Sequence, residues 1–177
     1  MKLISYTVLL IIFLFSLLSC RAEKSKETAE TQNWSDGHSV DFNQEVNERE
    51  QIQIRLFLEH FKSLKMTLTD SGLRYMIYKS GEGESLAKTG QFVRIRVKME
   101  LLNGTLCYET PKGETDEFVL EKSEKESGIH EALSLMKKGD HAKLILPSYL
   151  GHGLLGDREK IPPQSILYVD LELVDIK

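Results

Sequence analysis

Cysteine, proline and tryptophan are scarce in this chain of 177 residues, which holds two, four and one of them. Two cysteines allow at most one disulfide, so a cross-linked scaffold is excluded as the source of stability, and no Cys-x-x-Cys pair points to a zinc or redox centre. Positive charge is short as well: 23 basic residues face 27 acidic ones, a formal charge of −4, which disfavours a nucleic-acid role. Beyond the first twenty residues no apolar run approaches the about 20 residues needed to span a bilayer. What is present, 28% charged and 41% hydrophobic residues, fits one modest soluble domain with appendages.

The one long apolar run is at the start. Lys2 supplies a positive beginning, Leu9 to Leu18 is almost wholly aliphatic and aromatic, and Arg21 opens a polar stretch, the pattern of a secretory leader. The run ends Leu17-Leu18-Ser19-Cys20, which resembles a bacterial lipobox, in which the cysteine is acylated and becomes the mature N-terminus. Residues 1–19 are therefore expected to be a lipoprotein signal peptide and Cys20 a lipid anchor, since several acyl chains together hold a protein on a membrane. Removing the leader takes away Lys2 alone, so the basic count falls from 23 to 22 against 27 acidic residues. Cys107 is then left without a disulfide partner.

From Cys20 to Asn47 the chain is rich in Glu, Lys, Ser, Thr, Gln and Asn and reads as a flexible tether. Between Glu48 and Met66 the residues Ile52, Leu56, Phe57, Phe61 and Leu64 recur at helical spacing, predicting an amphipathic helix over 48–68 that packs on the following domain or pairs two chains. The period then changes. Leu73–Tyr78 and Phe92–Met99 alternate as half-buried strands do, Asn103-Gly104 reads as a hairpin turn, and Phe118–Leu120, Ala142–Leu146 and Ile166–Val174 are further strands. Gly128 to Met136 reads as a short helix with Gly139 past its end. About five antiparallel strands and one short helix make an α+β domain over 69–177, a curved sheet wrapped around the helix.

The order of these pieces resembles an FKBP-type peptidyl-prolyl isomerase domain. Gly128-Ile129-His130-Glu131-Ala132-Leu133-Ser134-Leu135-Met136-Lys137-Lys138-Gly139 is similar to the family's Gly-Trp-x-Glu-Ala-Leu-x-x-Met-x-x-Gly, and Leu146-Pro147-Ser148-Tyr149-Leu150-Gly151-His152-Gly153 to its Ile-Pro-x-x-Leu-Ala-Tyr-Gly. Ile161-Pro162-Pro163 precedes the final strand as in the family. Leader, tether, helix and single divergent domain together resemble the gliding-associated lipoprotein isomerases of Bacteroidota.

The resemblance implies a substrate pocket of Val97, Cys107, Tyr108, Ile129, His152, Ile161 and Val169. It also shows departures, because the family's pocket tryptophan is Ile129, its tyrosine after the Pro segment is His152, its Phe-Asp pair is Cys107-Tyr108 and a strand tyrosine is Val97. The reaction implied needs no metal, cofactor or acid-base residue, since it is rotation about a bond whose barrier is about 18–20 kcal/mol. Either the pocket is refitted and isomerises proline-containing, unfolded or exported polypeptides, or the domain is a non-catalytic chaperone or assembly factor. In both cases the expected place is the bacterial envelope, lipid-anchored at the outer membrane.

Other signals are weaker. Gly83 to Gly90 carries a Lys-Thr pair, but Ala87 stands where a phosphate-binding loop needs glycine. His130, His141 and His152 do not fall at a metal-ligand spacing. Cys107 in a strand reads as a small buried hydrophobe. The acidic run from Glu109 through Glu114, Asp116, Glu117, Glu121 and Glu124 to Glu126 reads as a solvated face or as a preference for basic clients.

Overall fold

A computed structural model describes residues 36–177; the leader, Cys20 and the first part of the expected tether lie outside the described residues. Helix α1 (Asp36–His60) is followed by strands β1 (Thr67–Leu68), β2 (Arg74–Lys79), β3 (Phe92–Leu101), β4 (Leu106–Glu109) and β5 (Asp116–Val119). Helix α2 (Ser127–Ser134), β6 (His141–Leu146), a 3-10 turn (Ser148–Leu150) and β7 (Leu167–Ile176) complete the chain.

All seven strands form one antiparallel sheet in the order β1-β2-β6-β7-β3-β4. Strand β5 pairs with the first half of β3, from Phe92 to Ile95, while β4 pairs with its second half, from Lys98 to Glu100. Alternation decides which face is buried. Val93, Ile95, Val97 and Met99 of β3 and Leu167, Val169, Leu171 and Leu173 of β7 point inward and are buried. The residues between them face outward and pair across strands, Arg94 with Asp175 at 2.8 Å and Arg96 with Glu172 at 3.0 Å.

Helix α2 lies against the inner face through Ile129, Ala132 and Leu133, with Met136 just past its end, and joins the strands in one apolar cluster. Close approach depends on Gly128: a β-carbon there would stand 2.6 Å from Leu146 Cδ2 and 3.1 Å from Leu150 Cβ. The helix starts where the backbone carbonyl of Glu126 accepts the N–H groups of Ile129 and His130, at 2.9 and 3.2 Å.

Helix α1 differs from the sequence expectation in three ways. It begins at Asp36, inside the stretch read as tether, because Val46 and Glu50 are buried there and anchor a polar sequence that has no glycine or proline after Gly37. It ends at His60, where the chain turns through Phe61, whose N–H bonds to Phe57, and on to Leu64, whose N–H bonds to Phe61. The buried stripe is also rotated. Ile54 is fully buried against Ile145 and Ile166, with Phe57 and Leu58 beside it, whereas Ile52 and Leu56 are about half exposed, at 48% and 56%. The helix is fixed by a buried polar contact that periodicity does not report, Glu50 accepting the Ser148 N–H at 2.9 Å.

Candidate functional site

The inner face of the sheet, α2 and the long loop from Gly151 to Ile166 all contribute to the domain's apolar core. Val97, Cys107, Ile129, Ile161 and Val169 belong to this cluster, with Tyr108 packed against it. Ile129, Ile161, Cys107 and Val169 are at most 2% exposed. His152 is not part of this cluster; it sits at the rim, with its imidazole Nε2 2.9 Å from Glu126 Oε1.

The loop is tied down by strand β4. The Tyr108 hydroxyl donates to an oxygen of Asp157, and the other carboxylate oxygen of Asp157 accepts three backbone N–H groups, from Glu159 at 2.9 Å, Lys160 at 3.0 Å and Ile161 at 2.8 Å. The Cys107 thiol lies 3.6 Å from the Lys160 carbonyl, and the Lys160 ammonium stands 4.8 Å from the centre of the Tyr108 ring. These contacts seat Ile161 over the apolar cluster.

The local electrostatics follow from this wiring. Burial pushes the Asp157 carboxyl up, but the Tyr108 hydroxyl and the three N–H groups outweigh it and hold the group well below the usual carboxylate range. The same bond, with burial, pushes the Tyr108 phenol up to about 12, so it stays protonated and donating at neutral pH. Burial, helped by the nearby Asp157 charge, raises the Cys107 thiol, which argues against a reactive thiolate.

His130, on the next face of α2, has a different task. It is buried, its Nδ1 accepts the Glu121 N–H at 3.0 Å, and its Nε2 lies 3.3 Å from the Ser123 carbonyl. An Nδ1 that accepts leaves the proton on Nε2, so the ring holds the loop before α2 as a neutral imidazole. That loop includes Glu121 at a positive φ of 58°.

Sequence reasoning placed the apolar residues and left out the two carboxylates that organise the rim. Asp157 carried a readable signal, since an aspartate followed by a polar triplet and then Ile161 suits a turn closed by side-chain capping of backbone N–H groups. Glu126 was legible only as the last member of an acidic run read as a solvated face or a preference for basic clients. The acidic run containing it is partly neutralised, with Lys125 3.2 Å from Asp116 and Thr89 donating to Glu121 at 3.0 Å.

Among the described residues, cavities lie elsewhere too. A groove of about 580 Å³ on the outer face of the sheet is lined by charged side chains including Arg96, Lys98, Asp170 and Glu172, with Val97 at its edge. A cleft of about 360 Å³ between the end of α1 and the β3–β4 hairpin is lined by Phe57, Phe61, Leu64, Leu101 and Tyr168. In the first, Arg96 pairs with Glu172 at 3.0 Å and Lys98 with Glu100 at 2.9 Å.

A profile of the FKBP-type peptidyl-prolyl cis-trans isomerase family matches residues 83–174, more than half of the chain. The chain belongs to this family. Among curated relatives, the FKBP-type peptidyl-prolyl cis-trans isomerase FkpA of Buchnera aphidicola subsp. Schizaphis graminum is 35% identical over 148 residues, covering 82% of this chain and 57% of the relative. The FKBP-type 22 kDa peptidyl-prolyl cis-trans isomerase of Escherichia coli is 32% identical over 124 residues, covering 70% and 59%. The crystal structure of FkpA from Escherichia coli superposes with a TM-score of 0.64 at 27% identity, over 79% of this chain and 64% of that one. The chain thus spans between half and three fifths of the length of these curated relatives. The FKBP-type match runs from before β3 to Val174 in β7 and includes Val97, Cys107, Tyr108, Glu126, Ile129, His152, Asp157, Ile161 and Val169.

Proposed function

We propose that this chain catalyses cis–trans isomerisation of X–Pro bonds in unfolded or exported polypeptides, and that it does so at the bacterial envelope, held by lipid on Cys20. What supports the reading is the FKBP-type match over residues 83–174, which takes in Val97, Cys107, Ile129, Ile161 and Val169 of the buried apolar core and the Tyr108–Asp157 and His152–Glu126 pairs.

The chemistry asks for little more. The planar amide is polar and well solvated, and the twisted transition state loses the resonance that makes it so; an apolar, water-poor surface therefore favours the twisted form relative to the planar one. Isomerisation of X–Pro bonds takes tens to hundreds of seconds unaided, roughly, and limits folding where it occurs. Ile129 offers an aliphatic floor in place of an aromatic one, so the ring is received by shape and desolvation. His152 and Tyr108 supply the polar edge.

Burial of the apolar cluster supports a second reading, in which the domain holds unfolded chains without turning them over. Helix α1 serves either role, with Ile52 and Leu56 exposed on the side away from the domain as a surface for a second copy of the chain. NMR exchange measurements on Leu-Pro and Phe-Pro peptides separate the two, since the enzyme raises the exchange rate and the holding factor only slows aggregation of a denatured protein. Mass spectrometry of the chain expressed in a bacterial envelope tests the anchor, which adds acyl mass to a fragment beginning at Cys20.

A further inference from the structure

The apolar cluster is closed in the free protein, so a proline ring reaches Ile129 only after part of the rim moves. The two rim carboxylates differ in how fully they are satisfied. Asp157 is engaged through both oxygens, by the Tyr108 hydroxyl and by three backbone N–H groups. Glu126 has a side-chain contact through one oxygen alone, to His152, while its other oxygen is buried and meets no hydrogen-bond donor among the described residues. A buried carboxylate oxygen without a donor is costly, and a donor that reached it would be strongly held.

The two partners are unequally anchored. Glu126 is only 12% exposed at its side chain and its backbone begins α2. His152 is 27% exposed and lies between Gly151 and Gly153, the latter at φ 62°. It is the histidine that can leave. Its departure strips Glu126 of its one side-chain partner.

We propose that His152 is a displaceable occupant of the Glu126 carboxylate, and that the preferred substrates carry arginine or lysine immediately before the proline, the incoming cation replacing the imidazole as the ring enters. This rests on the isomerase reading given above. A guanidinium meets both oxygens of a carboxylate at once, so it satisfies the atom that His152 leaves open, and arginine is preferred to lysine. The aliphatic stem of either residue covers apolar surface at the rim.

The test uses the full chain and Ala-Xaa-Pro-Phe peptides with Arg, Leu or Glu at Xaa, with exchange rates read by NMR. The expected result is kcat/KM about fivefold higher for Arg than for Leu and lower for Glu than for either, a preference that shrinks in molar salt. Glu126→Gln brings the Arg-to-Leu ratio toward one, whereas His152→Ala keeps it, because the carboxylate remains. Equal rates for Arg and Leu, a ratio that survives Glu126→Gln, or an equal gain from arginine placed after the proline overturns the inference. If no peptide is turned over, the isomerase reading fails, and the same peptides titrated for binding still decide this point through the Arg-to-Leu ratio of Kd and its response to Glu126→Gln.

Discussion

Tyr108 on strand β4 and Asp157 in the long loop before β7 are joined hydroxyl to carboxylate, across 49 residues of sequence, and that bond seats Ile161. Asp157→Ala removes the acceptor of three backbone N–H groups as well as that of the phenol. The loop then loosens at Glu159, Lys160 and Ile161. Because each lost acceptor leaves a donor to be satisfied elsewhere, the urea midpoint is expected to fall. Hydrogen exchange at those three amides should rise more than at β3. In Asp157→Asn the Tyr108 phenol, pushed up to about 12 in the native chain, should titrate nearer its ordinary value of about 10, read by absorbance of the phenolate.

Gly128→Ala tests whether α2 must lie this close to the sheet. The added methyl would stand 2.6 Å from Leu146 Cδ2, well inside contact distance, with Leu150 behind it. Overpacking of this kind costs about 1–3 kcal/mol. Thermal unfolding should fall accordingly, and Leu146→Val should recover part of the loss in the double variant.

His130→Phe keeps the bulk of the ring beside Phe118 and deletes both nitrogens. The Glu121 N–H then has no acceptor in the turn before α2, which predicts a loss of about 1–3 kcal/mol. Amide exchange at Glu121 should therefore be faster in the variant than in the native chain.

Asp175 predicts an acid limb of the stability curve. Hydrogen bonding from Lys138 and then from Arg94 lowers its carboxyl to about 2. A folded value below the unfolded one, about 3.9, means the contribution is fully present above pH 4 and is lost as pH falls through 2. Urea midpoints measured between pH 6 and 2 should therefore decline across the lower half of that range. Asp175→Asn should flatten that part of the decline and leave the midpoint lower at pH 6.

The comparison of sequence with structure turns on how local the information is. Strand β3 was legible because Val93, Ile95, Val97 and Met99 alternate with charged residues over its whole length, and the α2 segment because glycines bracket a helical apolar face. β1 is two residues long and β4 only four, too short for periodicity to register. The orientation of α1 was misread since Ile52 and Leu56 have the right spacing but the wrong side, and what decides the side is a long-range contact from Glu50 to Ser148. In the site, the apolar residues were proposed from motif alignment, while Glu126 meets His152 and Asp157 meets Tyr108 far along the chain, beside the local bonds of Asp157 to Glu159, Lys160 and Ile161. Such long-range pairings leave no local pattern. Arg158 and Gln164, both at positive φ in the long loop, are likewise held by context that their own identities do not announce.

Turnover of X–Pro bonds at the apolar cluster of Ile129, Ile161 and Val169 is open to direct test. The most direct measurement is NMR exchange on a Leu-Pro peptide with the full chain and with Ile161→Asp, each shown to be folded by its amide spectrum. Exchange well above the uncatalysed rate is expected for the native chain and a fall to near that rate for the variant, since a carboxylate at the buried Ile161 position brings charge and water into the apolar cluster. A folded native chain that leaves the exchange rate unchanged, or an Ile161→Asp variant as fast as the native chain, would contradict it.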